Sequence, residues 1–166
     1  NNGFQRNKHE YNTLKRLKDV KGVINVDEYF TSWRHNYFIE EFHTGKSLQK
    51  FIAQNFPFTD SYDKTTKYAY ESILIINQLM DIIEEIHNSG VAMGDLSLSN
   101  ILLSDNNTKV TLIDFEAAAP PENKFSPGIA TPGFISSEAN NYMEADWFAF
   151  YRIARTLFLP ITPICD

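Results

Sequence analysis

The chain has 166 residues, 43% of them hydrophobic and 14% aromatic, enough for one domain with a real core and unlike a disordered chain. Fifteen basic against 21 acidic residues leave a formal charge of −6, which argues against a nucleic-acid or anionic-membrane surface. Cys165 is the only cysteine, so no internal disulfide and no cysteine-based metal site can form; with no signal peptide or membrane span visible, a soluble cytoplasmic protein is expected.

In chain order, residues 5–18 read as an exposed helix with one apolar side, Tyr11, Leu14 and Leu17, and Gly22 just past its end. Residues 23–30 and 36–42 read as an antiparallel strand pair joined by a turn near 32–35. Thr44-Gly45-Lys46-Ser47 opens a short helix over 48–55, which Pro57 ends. The longest helical pattern covers 66–88 and is closed by Gly90; Ile73, Ile76, Met80 and Ile83 share one face, with Leu79, Ile82 and Ile86 beside them. Residues 101–103 and 110–113 are short apolar runs around Ser-Asp-Asn-Asn-Thr and read as a β-hairpin. Residues 117–141, rich in Pro, Gly, Ser and Ala, read as an ordered loop. The last helix, 143–159, carries Trp147, Phe148, Phe150, Tyr151, Ile153, Leu157 and Phe158 on all sides, the pattern of a buried central helix. A small mixed lobe thus precedes a larger helical lobe, with the boundary expected at 42–46.

Two clusters flank the hairpin: Met93-Gly94-Asp95-Leu96-Ser97-Leu98-Ser99-Asn100 before it and Leu112-Ile113-Asp114-Phe115-Glu116 after it. A hairpin brings its ends together, so Asp95, Asn100 and Asp114 are expected to converge. Phosphoryl transfer needs such a set. One carboxylate orients the attacking hydroxyl and takes its proton; a second carboxylate and an amide oxygen hold the Mg²⁺ that bridges the nucleotide phosphates. The plainer reading makes Asp95 and Asn100 turn residues and Asp114 a strand end. The ordered series of Asp, Asn, strand, turn, strand and Asp-Phe is far more specific than either cluster alone. The histidines at 9, 35, 43 and 87 show no metal-ligand spacing and are expected to be solvated or hydrogen-bonded.

On these residues the sequence resembles the protein-kinase superfamily over nearly its whole length. The resemblance implies an α+β, two-lobed protein-kinase-like fold in incomplete form. A partial N-lobe would cover 1–42, and a C-lobe with catalytic loop, activation segment and central helix would cover 43–166. Asp95 sits where the H-R-D-x-x-x-x-N loop of the family has its catalytic base, Asn100 where it has its metal-binding amide, and Asp114-Phe115-Glu116 at D-F-G. Thr131-Pro132-Gly133-Phe134 resembles the end of the activation segment, with Thr131 and Gly133 shaping a peptide groove. Glu138 stands at the A-P-E glutamate as structural support. Asp146-Trp147 resembles the start of the buried helix, whose aspartate holds the catalytic loop's backbone. Glu10 would pair with an ATP-anchoring lysine. Glu41-Phe42-His43 would form the hinge that meets the purine, and Leu102 would lie under the ring. Val26, Leu14, Phe115 and Met93 would stack as an apolar column. Each has a plainer counterpart: Glu10 a solvated charge, Glu41 an exposed strand residue, Asp146 a helix-terminal charge, Leu102 simple core.

Four departures from the pattern matter. Met93-Gly94 replaces His-Arg, which removes the usual partner of a phosphorylated activation loop and predicts activity independent of loop phosphorylation. Ser97 stands where serine/threonine kinases carry a lysine near the transferred phosphate. Glu116 replaces glycine, a feature similar to small-molecule phosphotransferases of the aminoglycoside and choline type. No Gly-rich loop and no Val-Ala-Ile-Lys strand precedes Glu10, so a fragment of a larger polypeptide, weakly active or inactive alone, is expected.

The runs 94–103, 111–118, 130–134, 146–149 and 157–163 look like the kinase domain of class III and class IV lanthionine synthetases. That resemblance implies phosphorylation of Ser and Thr in a precursor peptide with ATP or GTP and Mg²⁺. Lyase and cyclase domains would flank the kinase in the same polypeptide, and neither nucleic acid nor membrane would be a partner. A small-molecule phosphotransferase and a pseudokinase binding module are the competing readings.

Overall fold

The computed structural model describes residues 2–58, 61–126 and 131–160, with side chains from residue 6 onward. Ala130, residues 161–163 of the last motif run, and Cys165 lie outside them. The order is α1 (Asn2–Arg16), β1 (Val26–Ser32), β2 (His35–Glu40), β3 (Lys46–Ser47), α2 (Leu48–Asn55), α3 (Tyr62–Asn88), β4 (Ile101–Leu103), β5 (Val110–Leu112) and α4 (Tyr142–Phe158).

β1 and β2 pair antiparallel, with Phe30 opposite Tyr37 and a register shift between Val26 and Tyr29. Trp33 turns the hairpin with φ 54°, and α1 packs across both strands. The second sheet has the order β3-β4-β5, all antiparallel. β3 is absent from the sequence expectation, which read Lys46 and Ser47 only as a helix lead. Ser47 does both jobs: it pairs with Leu102, and its Oγ accepts from Lys50 N at 3.3 Å as the cap of α2. Gly45 permits the approach, since a Cβ there would lie 1.6 Å from the Leu103 carbonyl oxygen.

The two sheets are stitched together. Ile24 N donates to Leu112 O at 3.0 Å and Leu112 N to Gly22 O at 2.7 Å. One apolar core runs through both, and it includes Leu14, Met93 and Phe115 with Val26 packed against it.

Two helices differ from expectation. In α3 the buried residues are Tyr68, Ser72, Ile75, Leu79, Ile82, Ile83, Ile86 and His87. Ile73 is 51% exposed and Met80 is exposed, so the inward face is turned by about one position from the one read off the sequence. Tyr68 shows why: its hydroxyl donates to Leu157 O of α4 at 2.8 Å and fixes which stripe faces inward. Burial pushes its phenol up to about 12. α4, expected to be buried all round, buries Ala145, Asp146, Ala149, Phe150, Ile153 and Leu157 but leaves Tyr151 67% exposed and Phe158 exposed. The described residues cover only one side of it.

Candidate active site

The β4–β5 hairpin sets the geometry. Its ladder pairs Ile101 with Leu112, and Ile113 N donates to Asn100 O at 3.0 Å, one step beyond. Asn100 and Asp114 therefore sit at the same end of the sheet. Asn100, itself buried, donates through Nδ2 to the Asp95 carbonyl at 3.0 Å, which leaves Oδ1 as the amide's acceptor; Ser99 Oγ approaches that oxygen at 3.3 Å. The three residues expected to converge do so.

Asp114 adopts φ 65°, a left-handed conformation that costs energy for a residue with a Cβ. Its carboxyl is raised above the usual range, by burial first and then by the charges of Glu116 and Asp95, against a backbone hydrogen bond from Glu116. Asp95 Oδ1 accepts from Thr131 N at 2.9 Å, so the segment carrying Thr131 lies on this carboxylate. Spacing alone did not show that link, because the donor is a backbone amide.

α1 is fastened to the turn after Asp114 by three contacts. Glu10 Oε1 accepts from Phe115 N at 2.9 Å, Arg6 Nη1 pairs with Glu116 Oε1 at 2.8 Å, and His9 Nε2 meets Ala118 O at 2.7 Å. Burial, more than any other cause, pushes the Glu10 carboxyl up to about 7; the charges of Asp114, Glu40 and Glu116 add to it, and the Phe115 amide works against it. Glu40 is raised too, by burial and by Asp114. Glu40 and Arg6 carried no sequence signal.

These carboxylates line a cleft of about 550 Å³ between Ile24, Phe38, Phe42, His43, Leu102 and Ile113. Glu41 also lines it, with Oε2 accepting from Asn25 Nδ2 at 3.0 Å and its own N donating to Asn25 O at 2.9 Å. His43 Nδ1 accepts from Gly45 N at 3.0 Å. Glu10, Glu41, His43, Leu102 and Asp114 thus share one cavity. Asp95 and Asn100 are not in its lining and adjoin it through Asp114.

Five further residues lie outside the cleft lining. Ser97 is fully buried and its hydroxyl is shared with Ser99 Oγ at 2.9 Å. A hydroxyl so enclosed braces the loop and does not face a transferred group, which corrects the position expected for it near the phosphate. Asp146 is buried and accepts from Met93 N (2.7 Å), Gly94 N (2.8 Å) and the ring of His87 (2.9 Å). His87 was read only as hydrogen-bonded or solvated; its partner lies 59 residues away. Gly133, at φ +88°, offers its carbonyl to Arg152 Nε at 3.0 Å. Glu138 is exposed, and among the described residues its carboxylate has no partner to support.

Among the described residues no group of three or more His, Cys, Asp or Glu is arranged for a metal. The available donors are the Asp114 carboxylate and the Asn100 amide oxygen. Both are hard oxygens, and a divalent ion held by so few protein ligands takes the rest from phosphate and water.

The family described as "Protein kinase domain" matches residues 2–158. The probable SapB synthase of Streptomyces coelicolor is 27% identical over 158 residues, covering 93% of this chain and 17% of that protein. The probable serine/threonine-protein kinase zyg-1 of Caenorhabditis elegans is 25% identical over 158 residues, 92% of this chain and 21% of its own length. The chain thus spans about a fifth of the length of these two relatives. Among solved structures, the Cydia pomonella granulovirus kinase PK-1 superposes with a TM-score of 0.74 at 14% identity, over 96% of this chain and 58% of that one, a likeness of fold. With the family matched from residue 2 to residue 158 and the fold shared, the chain belongs to the protein kinase family.

Proposed function

We propose that the chain is the kinase domain of a lanthipeptide synthetase, phosphorylating Ser and Thr hydroxyls of a precursor peptide with ATP or GTP. The observation that carries the phosphotransfer reading is the meeting of Asp95, Asn100 and Asp114 beside one cleft. The peptide reading is supported by the resemblance of the motif runs, by likeness to a probable synthase, and by Thr131 lying on Asp95.

In this reading the purine enters between Leu102 and the 41–43 segment. Thr131 holds Asp95 Oδ1, leaving Oδ2 to orient the acceptor hydroxyl. The hydroxyl oxygen bonds to the γ-phosphorus, the γ-phosphorus–oxygen bond to the nucleoside diphosphate breaks, and the proton passes to Asp95. Asn100 and Asp114 would hold Mg²⁺, which neutralises charge on the phosphates. Glu10, in the same cleft as Asp114, is the carboxylate that would pair with a phosphate-anchoring cation. Ser97 and Asp146 brace the loop that carries Asp95, and Thr131 and Gly133 shape the groove; for Glu138 the supporting role rests on the resemblance alone. Residues 1–42 and 43–166 are proposed as the two lobes, with lyase and cyclase domains in the same polypeptide and a cytoplasmic location. No helix among the described residues is long and apolar enough to cross a membrane.

A second reading, transfer to an amino-alcohol or sugar, is favoured by Glu116 in place of glycine. The two separate by acceptor. Full-length protein is incubated with Mg²⁺, nucleotide and either a Ser/Thr peptide with its leader or a panel of amino-alcohols and sugars, and products are read by mass spectrometry. Phosphopeptide or its dehydrated product is expected. Phosphate on small acceptors alone would overturn the peptide reading, and nucleotide binding without any transfer would mark a pseudokinase.

A further inference from the structure

The turn that carries Asp95 is gripped from one helix. Asp146 of α4 accepts from Met93 N and Gly94 N, at 2.7 and 2.8 Å. One turn earlier on α4 stands Tyr142, and its ring closes the space beside Gly94. A Cβ placed on Gly94 would lie 2.7 Å from Tyr142 Cε1 and 2.9 Å from Cδ1, with the Ala117 carbonyl oxygen also at 2.9 Å. Gly94 has φ +78°, so conformation and space both close the position to side chains. Tyr142 is itself held in place. Its N donates to Asn123 O at 3.3 Å, and its ring meets Phe125 edge-on with centroids 5.1 Å apart.

We propose that Tyr142 is a positioning residue for Asp95. The two hydrogen bonds to Asp146 fix consecutive amides of the 93–95 turn but leave it free to swing about them. The Tyr142 ring fills the space into which it would swing and keeps Gly94 against Ala117. Asp95 is thereby clamped between α4 and the segment that follows Asp114. Among the described residues the Tyr142 hydroxyl makes no hydrogen bond, so the ring and not the hydroxyl carries the role. The proposal rests on reading Asp95 as the base.

The test uses full-length protein and two readouts, steady-state transfer and amide hydrogen exchange. Tyr142→Phe is expected to keep kcat within about twofold of the parent. Tyr142→Ala is expected to lower kcat on the order of 10- to 100-fold while nucleotide KM holds, the mark of a misplaced group rather than lost binding. Exchange at Met93 and Gly94 should quicken in the Ala variant and not in the Phe variant, while amides at the centre of α3 stay protected. Tyr142→Leu, which keeps apolar bulk without the flat ring, should resemble Ala and serves if Ala does not fold. Parent-like kcat with unchanged exchange at 93 and 94, or a Phe variant as impaired as Ala, overturns the proposal. Asp95→Asn separates the two claims: if transfer survives it, the base assignment fails, while the exchange readout still decides the clamp.

Discussion

Glu10 is the residue where environment and charge are most at odds. Its carboxyl is held near 7 by burial and by neighbouring carboxylates, against an ordinary value of 4.5. Below pH 4.5 folded and unfolded chains both keep its proton. Between 4.5 and about 7 the unfolded chain releases a proton that the folded chain retains, so this group's stabilising share falls as pH rises and is gone above about 7. Glu10→Gln keeps an acceptor for the Phe115 amide and removes the charge. Its melting temperature relative to the parent should therefore rise from pH 4.5 to 7 and then level off, as followed by circular dichroism; a pH-independent difference would contradict this. The role of Glu10 toward Phe115 was not legible in sequence, because its partner is a backbone amide 105 residues away. Asp95, Asn100 and Asp114 were legible because a tight hairpin leaves few ways to arrange its ends. Ser97 was misread for a local reason: sequence position put it in the catalytic loop, but not on which side of that loop its hydroxyl points.

At the level of elements, α3 shows how periodicity finds a helix yet misplaces its face. Its middle carries apolar residues at 73, 74, 75, 76, 79, 80, 82 and 83, enough for two overlapping stripes. Tertiary contacts with α4 choose between them. Ile83→Ala, at a fully buried site, should cost about 2–5 kcal/mol in denaturant unfolding. Ile73→Ala, on the exposed face, should stay within about 0.5 kcal/mol. Similar losses for both would restore the face first read from sequence. The join between α4 and the loop that carries Asp95 makes a sharper prediction. Asp146→Ala strands the buried Met93 amide, the half-buried Gly94 amide and the buried His87 ring, and should cost about 3–5 kcal/mol. A loss below about 1 kcal/mol would mean that water replaces the carboxylate.

For the whole molecule, residues 22–24 lie along β5 and join the two sheets, a contact between segments some 90 residues apart that no local pattern announces. That junction sets α1, and with it Glu10, over the turn at Asp114. The lobe order and the kinase-like fold were readable because short motifs fall in a fixed series; which side of α4 the described residues cover was not, because an apolar helix says nothing about which residues pack on it. Gly94 leaves no arginine to bind a phosphorylated loop, so phosphatase treatment of full-length protein should leave transfer unchanged, measured as phosphopeptide formed per minute; abolished transfer would contradict this. The most direct measurement is nucleotide consumption by full-length Asp95→Asn with Mg²⁺ and peptide. A fall on the order of 10²–10⁴-fold with the fold intact is expected from loss of the base. Turnover equal to the parent's would contradict the assignment of this cleft to phosphoryl transfer.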